Sequence, residues 1–132
     1  NTILYNSLVA HGRNTGEEYA NSFSNTNSSY KSSLGFYLTG EVYQGKHGMS
    51  LKLDGLEKGV NDNARQRGVV MHSANYVSNS FIKSNKRLGR SQGCPAIPQE
   101  LLSGIVNTIK NKSCLFIYHP SRSLDKIAVL SS

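Results

Sequence analysis

Apolar and polar positions alternate with a period of two along Met49-Ser50-Leu51-Lys52-Leu53, the spacing of a strand with one buried face. Asp54-Gly55, just beyond it, reads as a turn. Upstream, Phe36, Leu38 and Val42 alternate with Tyr37, Thr39, Glu41 and Tyr43, and Gly40 interrupts the pattern. That interruption predicts a bulge or a hairpin bend. Unbroken apolar runs at Gly68 to Met71, Leu115 to Tyr118 and Ile127 to Leu130 suit strands covered on both faces. One helix is well signalled. It begins at Pro98, places Leu101, Leu102, Ile105, Val106 and Ile109 on one face, and carries Glu100 in its first turn and Lys110 and Lys112 at its far end, as the helix dipole favours.

Between these elements lie polar connections. Asn14 to Ser33 is rich in Asn, Ser, Thr and Gly and reads as a long surface loop; Glu57 to Arg67, with Asn61-Asp62-Asn63 inside it, reads as another. The sum is a single domain over residues 1–132, mostly β, with one or two helices. No run approaches the roughly 18 apolar residues of a membrane-spanning helix, and none resembles a signal peptide. The abrupt start at Asn1-Thr2-Ile3-Leu4-Tyr5 is what a mature or trimmed chain shows, with any export signal already removed.

Charge narrows the partners. Fifteen basic residues against eight acidic ones give a net charge of +7, which favours anionic surfaces. Nucleic acid is not expected, because no helix carries a basic stripe. The densest basic cluster, Lys83, Lys86, Arg87 and Arg90, reads either as a solvated loop or as a funnel for substrate carboxylates.

The chemistry concentrates in Gly89-Arg90-Ser91-Gln92-Gly93-Cys94-Pro95, with His72 lying 22 residues upstream of Cys94 at the end of Val69-Val70-Met71. A thiolate attacks carbonyls, and an imidazole within hydrogen-bond reach lowers a thiol's pKa, so Cys94 and His72 form a candidate nucleophile and base. Gly93 lets the backbone approach a reacting carbonyl, and the N–H groups of Gly93 and Cys94 are candidate oxyanion donors. The competing readings of Cys94 are a buried thiol and a disulfide with Cys114, itself read as a small hydrophobe within a buried strand. Four further residues carry a functional and a structural reading side by side. Tyr76 caps the site or sits at a core edge; Ser91 orients substrate or closes a turn; Arg90 grips a carboxylate or is a surface charge; His47, in Gly45-Lys46-His47-Gly48, walls the cleft or is a turn residue. His11, before Gly12, has the same balance as His47, and His119 reads as structural. No H-x-x-x-H or C-x-x-C spacing among His11, His47, His72 and His119 supports a metal, so no metal and no organic cofactor is expected.

His72-Ser73 and Ser91-Gln92-Gly93-Cys94 resemble the catalytic motif of the murein L,D-transpeptidases, the YkuD-type enzymes. The box Gly89 to Ala96 looks like a divergent branch of that family, as do His11-Gly12, Phe23-Ser24-Asn25, Ser33-Leu34-Gly35-Phe36-Tyr37 and Asn61-Asp62-Asn63-Ala64. Two positions depart from the family pattern. The usual histidine two residues before the cysteine is Gln92, which cannot titrate, and the usual arginine two residues after it is Ala96, leaving Arg90 as the natural replacement. The resemblance implies a YkuD-like β-sandwich acting on peptidoglycan stem peptides as a monomer in the periplasm or cell envelope. It implies that Ser73 orients His72 through its carbonyl, and that Ser91 and Gln92 border the substrate. It also implies acyl transfer through a thioester on Cys94, giving a 3→3 cross-link, with sensitivity to carbapenem-type β-lactams. Water as acceptor would make an L,D-carboxypeptidase, and a basic module that grips the wall without chemistry is the alternative of a different class.

Overall fold

A computed structural model describes residues 2–16, 22–86 and 88–119. The strands are β1 (Gly35–Gly45), β2 (Gly48–Gly55), β3 (Val70–Ser73), β4 (Ala96–Ile97) and β5 (Cys114–Ile117). The helices are α1 (Ala64–Arg67), α2 (Asn79–Asn85) and α3 (Leu102–Ile109), the last entered through a 3₁₀ turn over Gln99–Leu101. The strands make one mixed sheet in the order β4-β3-β2-β1-β5, antiparallel except for the parallel pair β3–β4. The fold is therefore mostly β as the patterning implies. It carries one short helix more than expected, because α1 spans only one turn and α2 buries none of its residues, so neither leaves a periodic apolar stripe.

The sheet has a core face and a cleft face. Leu51, Met71 and Ile97 point to the core, where Leu102 and Val106 of α3 close over them. Tyr37, Leu53, Ala64 and Val69 continue that core under α1. Ser50 and His72 are register partners and, by the period-two rule, stand on the opposite face. In β1 the register slips between Thr39 and Val42, a bulge at Gly40, so that Tyr37 and Thr39 before it and Val42 after it share the core face.

The phase of β1 before the bulge differs from the apolar pattern: Tyr37 and Thr39 are buried, and Phe36 and Leu38 are only half-buried. Both polar tips have partners. Tyr37 Oη donates to the Ser33 carbonyl at 2.7 Å, and burial pushes its hydroxyl up to about 12. Thr39 Oγ1 donates to the Ile109 carbonyl at 2.5 Å and accepts from Ser113 N–H at 2.8 Å, tying β1 to the end of α3.

Three other expectations are corrected. Asp54-Gly55 is not a turn but the last two residues of β2; Gly55 is glycine because a Cβ there would overlap the Asn61 carbonyl, and Asp54 pairs with Arg65. β5 is not buried on both faces: exposed and half-buried residues alternate along it, with Cys114 and Phe116 on the open side. The Asn14–Ser33 segment is not merely superficial, since Thr15, Ser32 and Ser33 are buried, with Ser32 N–H donating to Thr15 Oγ1 at 2.7 Å and Gly12 N–H to Ser32 Oγ at 3.0 Å. The run Ile127 to Leu130 lies outside the described residues.

Candidate active site

β3 delivers His72 and the segment leading into β4 delivers Cys94. The parallel pairing sets His72 beside Ala96, with His72 N–H donating to the Pro95 carbonyl at 3.3 Å. The turn carrying the thiol is closed by Ser91, whose Oγ donates to the Cys94 carbonyl at 2.5 Å and accepts from Gly93 N–H at 3.1 Å. Ser91 is itself held by His11 and Arg13, through Ser91 N–H to the His11 carbonyl at 3.0 Å and Arg13 N–H to the Ser91 carbonyl at 2.7 Å. Gly93 has φ +121°, where a side chain is strained, and a Cβ there would stand 2.9 Å from the Lys31 carbonyl and 3.2 Å from Arg67 Nη2.

Cys94 and His72 line one cleft of about 690 Å³. The Cys94 thiol donates to the Gly68 carbonyl at 3.7 Å and accepts from Val70 N–H at 3.4 Å. His72 Nδ1 lies 2.9 Å from the Ser73 carbonyl. A carbonyl only accepts, so Nδ1 carries the hydrogen and Nε2 keeps its lone pair as the basic nitrogen. Both Cys94 and Cys114 are free thiols, which removes the disulfide reading.

The electrostatics correct the expectation of a thiol kept anionic by the imidazole. Burial pushes the Cys94 thiol above its ordinary range, opposed by the Val70 N–H and by the positive charges of Arg67 and Lys46. Burial also pushes His72 down, opposed by its bond to Ser73 and reinforced by His47 and Lys46. Near neutral pH both groups are uncharged. An uncharged thiol attacks a carbonyl only where a base takes its proton during the attack, so the arrangement offers no standing thiolate.

The other expected site residues divide. Tyr76, Arg90, Ser91, Gln92 and His47 line the cleft; His11 does not. His11 Nε2 donates instead to the Gly16 carbonyl at 2.8 Å, which Arg90 Nε also reaches at 3.0 Å. Arg90 Nη1 donates to the Leu88 and Gly89 carbonyls at 2.8 and 2.9 Å, so much of this guanidinium shapes the loops around the box. Gly93 N–H is committed to Ser91 Oγ, whereas none of the described acceptors takes the Cys94 N–H, so of the two candidate oxyanion donors only the latter is uncommitted among the described residues. Of the expected basic funnel, Arg90 alone reaches the cleft among the described residues; Arg87 lies outside them, and the remaining cations of the wall are Arg13, Lys46 and Arg67.

Arg67 is the residue that sequence reading missed. It closes α1, and Nη1 donates to the Ser24 carbonyl at 3.0 Å and Ser33 Oγ at 2.7 Å, while Nη2 donates to Ser29 Oγ at 3.2 Å and the Lys31 carbonyl at 2.8 Å. One guanidinium thus anchors the serine-rich loop beside the nucleophile turn. The available signal was Gly68, the left-handed residue (φ 73°) that ends a helix at Arg67 and turns the chain into β3.

Among the described residues no three His, Cys, Asp or Glu side chains converge as a metal-holding group, and no helix is long and apolar enough to cross a membrane. Comparison with curated proteins and with solved structures gave no match. Comparison with protein families matches residues 1–118 to the L,D-transpeptidase catalytic domain, YkuD_2. With nearly the whole described fold inside that match, the chain belongs to the L,D-transpeptidase catalytic domain family, whose enzymes act on the peptidoglycan of the cell wall.

Proposed function

We propose that this protein is a peptidoglycan L,D-transpeptidase with Cys94 as nucleophile and His72 as base. The observation that carries the reading is that a thiol and a neutral imidazole line one cleft whose charged wall residues among those described, Arg13, Lys46, Arg67 and Arg90, are all cationic. Stem peptides are rich in carboxylates, and a cationic wall attracts them.

In this reading the substrate carbonyl lies between the diamino acid and the terminal D-alanine of a tetrapeptide stem. As Cys94 Sγ bonds to that carbon, its proton passes to His72 Nε2, and the Cys94 N–H receives the oxyanion. The carbon–nitrogen bond then breaks, D-alanine leaves with the proton from His72, and a thioester remains. A side-chain amine of a second stem attacks the thioester carbonyl, giving up a proton through His72 to the departing sulfur. The new amide is a 3→3 cross-link. The same thioester meeting water gives L,D-carboxypeptidase activity. The substrate sets the place of action outside the cytoplasm.

Incubation with disaccharide-tetrapeptide and weighing of the products tests this. Dimers lacking one alanine are the expected result, and Cys94→Ser abolishes them. Loss of alanine with water added and no dimer would reassign the enzyme as a carboxypeptidase. Binding without product, unchanged in Cys94→Ser, would replace the enzyme with a wall-binding module.

A further inference from the structure

The ring of His47 stacks on the ring of His72 with centroids 4.3 Å apart and planes 14° from parallel. His47 occupies the two-residue tip of the β1–β2 hairpin, between Gly45 and Gly48, and is exposed apart from this contact, whereas His72 is 2% exposed. An exposed side chain at a loop tip gains little by ordering unless it acts on what it covers. We propose that His47 is a positioning residue: it lies flat on the imidazole of His72 and, together with the Ser73 carbonyl, fixes the orientation in which that imidazole accepts the proton of Cys94.

Two holds are needed because one leaves a rotation free. The bond from His72 Nδ1 to the Ser73 carbonyl sets the tautomer and one in-plane direction but permits the ring to rock about that bond. A parallel stack at van der Waals distance opposes that rocking, and it shields one face of the ring from water. The hairpin register brings the two together, because Ser50, three residues past His47, is the partner of His72. The inference also accounts for a loss noted in the sequence: Gln92 supplies no imidazole next to the nucleophile, and His47 brings a second imidazole to the site from another element. The ionisable groups that share the cleft with His72 are Lys46 and His47 on the hairpin, Arg67 before β3, Tyr76 after it, and Arg90 and Cys94 on the nucleophile box, with Arg13, Tyr30 and Tyr43 on the outer walls.

The inference rests on His72 as the base, and its test has one readout that is independent of turnover. Ring nitrogen-15 spectra of the 132-residue chain, with His72 assigned through His72→Gln, are compared for wild type, His47→Ala and His47→Phe. Wild type shows His72 with its hydrogen on Nδ1. His47→Phe keeps that tautomer, since a flat cover remains. His47→Ala mixes the tautomers. With tetrapeptide as substrate, kcat of His47→Ala falls about tenfold with KM within about twofold, and His47→Phe recovers most of it. His72 ring signals unchanged in His47→Ala, or a phenylalanine variant as impaired as the alanine one, would overturn the proposal. Absence of turnover in every form, wild type included, would count against the transpeptidase reading and leave the ring spectra to decide the role of His47.

Discussion

Replacing Arg67 with methionine keeps most of the side chain's length and apolar stem while removing a guanidinium that makes four hydrogen bonds to the Ser24–Ser33 loop. Hydrogen bonds from an ionised donor are worth about 1.5–3 kcal/mol each in a dry setting. Arg67 is half-buried on a cleft wall, so water replaces part of what is lost. The expected destabilisation is about 2–4 kcal/mol, a large share of a typical domain's stability. Arg67→Lys keeps the charge but offers three donors from a single point in place of a planar fork, and should cost about half as much. Because the Lys31 carbonyl held by Arg67 is the group that a Cβ on Gly93 would strike, loosening the loop also loosens the wall behind the nucleophile turn. Turnover should therefore fall more than stability at 25 °C alone explains. Urea unfolding with a constant slope reads the first effect, and kcat of the folded variant reads the second. A methionine variant within about 0.5 kcal/mol of wild type would refute the reasoning, because it would mean that water serves the loop as well as the guanidinium does.

Other substitutions follow from the same geometry. Gly55→Ala should cost on the order of 3–5 kcal/mol in urea unfolding, since the new methyl overlaps the Asn61 backbone and the overlapped atoms are main chain rather than the end of a flexible side chain. Gly93→Ala should cost about 2–3 kcal/mol and depress kcat, from the strain of an alanine at φ +121° and its 2.9 Å approach to the Lys31 carbonyl. In a Cys114→Ser background, alkylation of Cys94 by iodoacetamide should be half-maximal above pH 9.0, because burial favours the protonated thiol. The acid limb of kcat/KM should lie below pH 6.5, since a lowered His72 pKa leaves the base neutral until the solution is more acidic than its ordinary value. A half-maximum near pH 6 for the alkylation would instead indicate a standing thiolate–imidazolium pair.

The parts legible in the sequence are those whose signal is local. The α3 stripe is readable because five apolar residues recur at helical spacing behind Pro98, and the β1 bulge because one glycine breaks an alternation. The nucleophile box is readable because a cysteine among glycines and polar residues is out of place in a core. What escaped depends on partners distant in sequence. Arg67 looks like any charge in a polar connection, and its four acceptors lie 34 to 43 residues away. Gly55 has the sequence of a turn but the task of admitting Asn61. Tyr37 and Thr39 look solvent-facing, yet their polar tips find the Ser33 and Ile109 carbonyls, so before the bulge the buried face of β1 runs opposite to its apolar pattern. The ionisation of Cys94 escaped for the same reason: proximity to a histidine is a motif-level inference, whereas burial is set by the whole fold.

The central claim, that Cys94 carries the acyl group, is tested most directly by trapping the enzyme soon after mixing with tetrapeptide substrate and weighing the intact protein. The account predicts a mass increase equal to the stem peptide less its terminal alanine, located by peptide mapping on the Gly89–Pro95 box, absent from Cys94→Ser and strongly reduced in His72→Gln. Wild-type rates of product formation by Cys94→Ser, with no adduct on either protein, would contradict it.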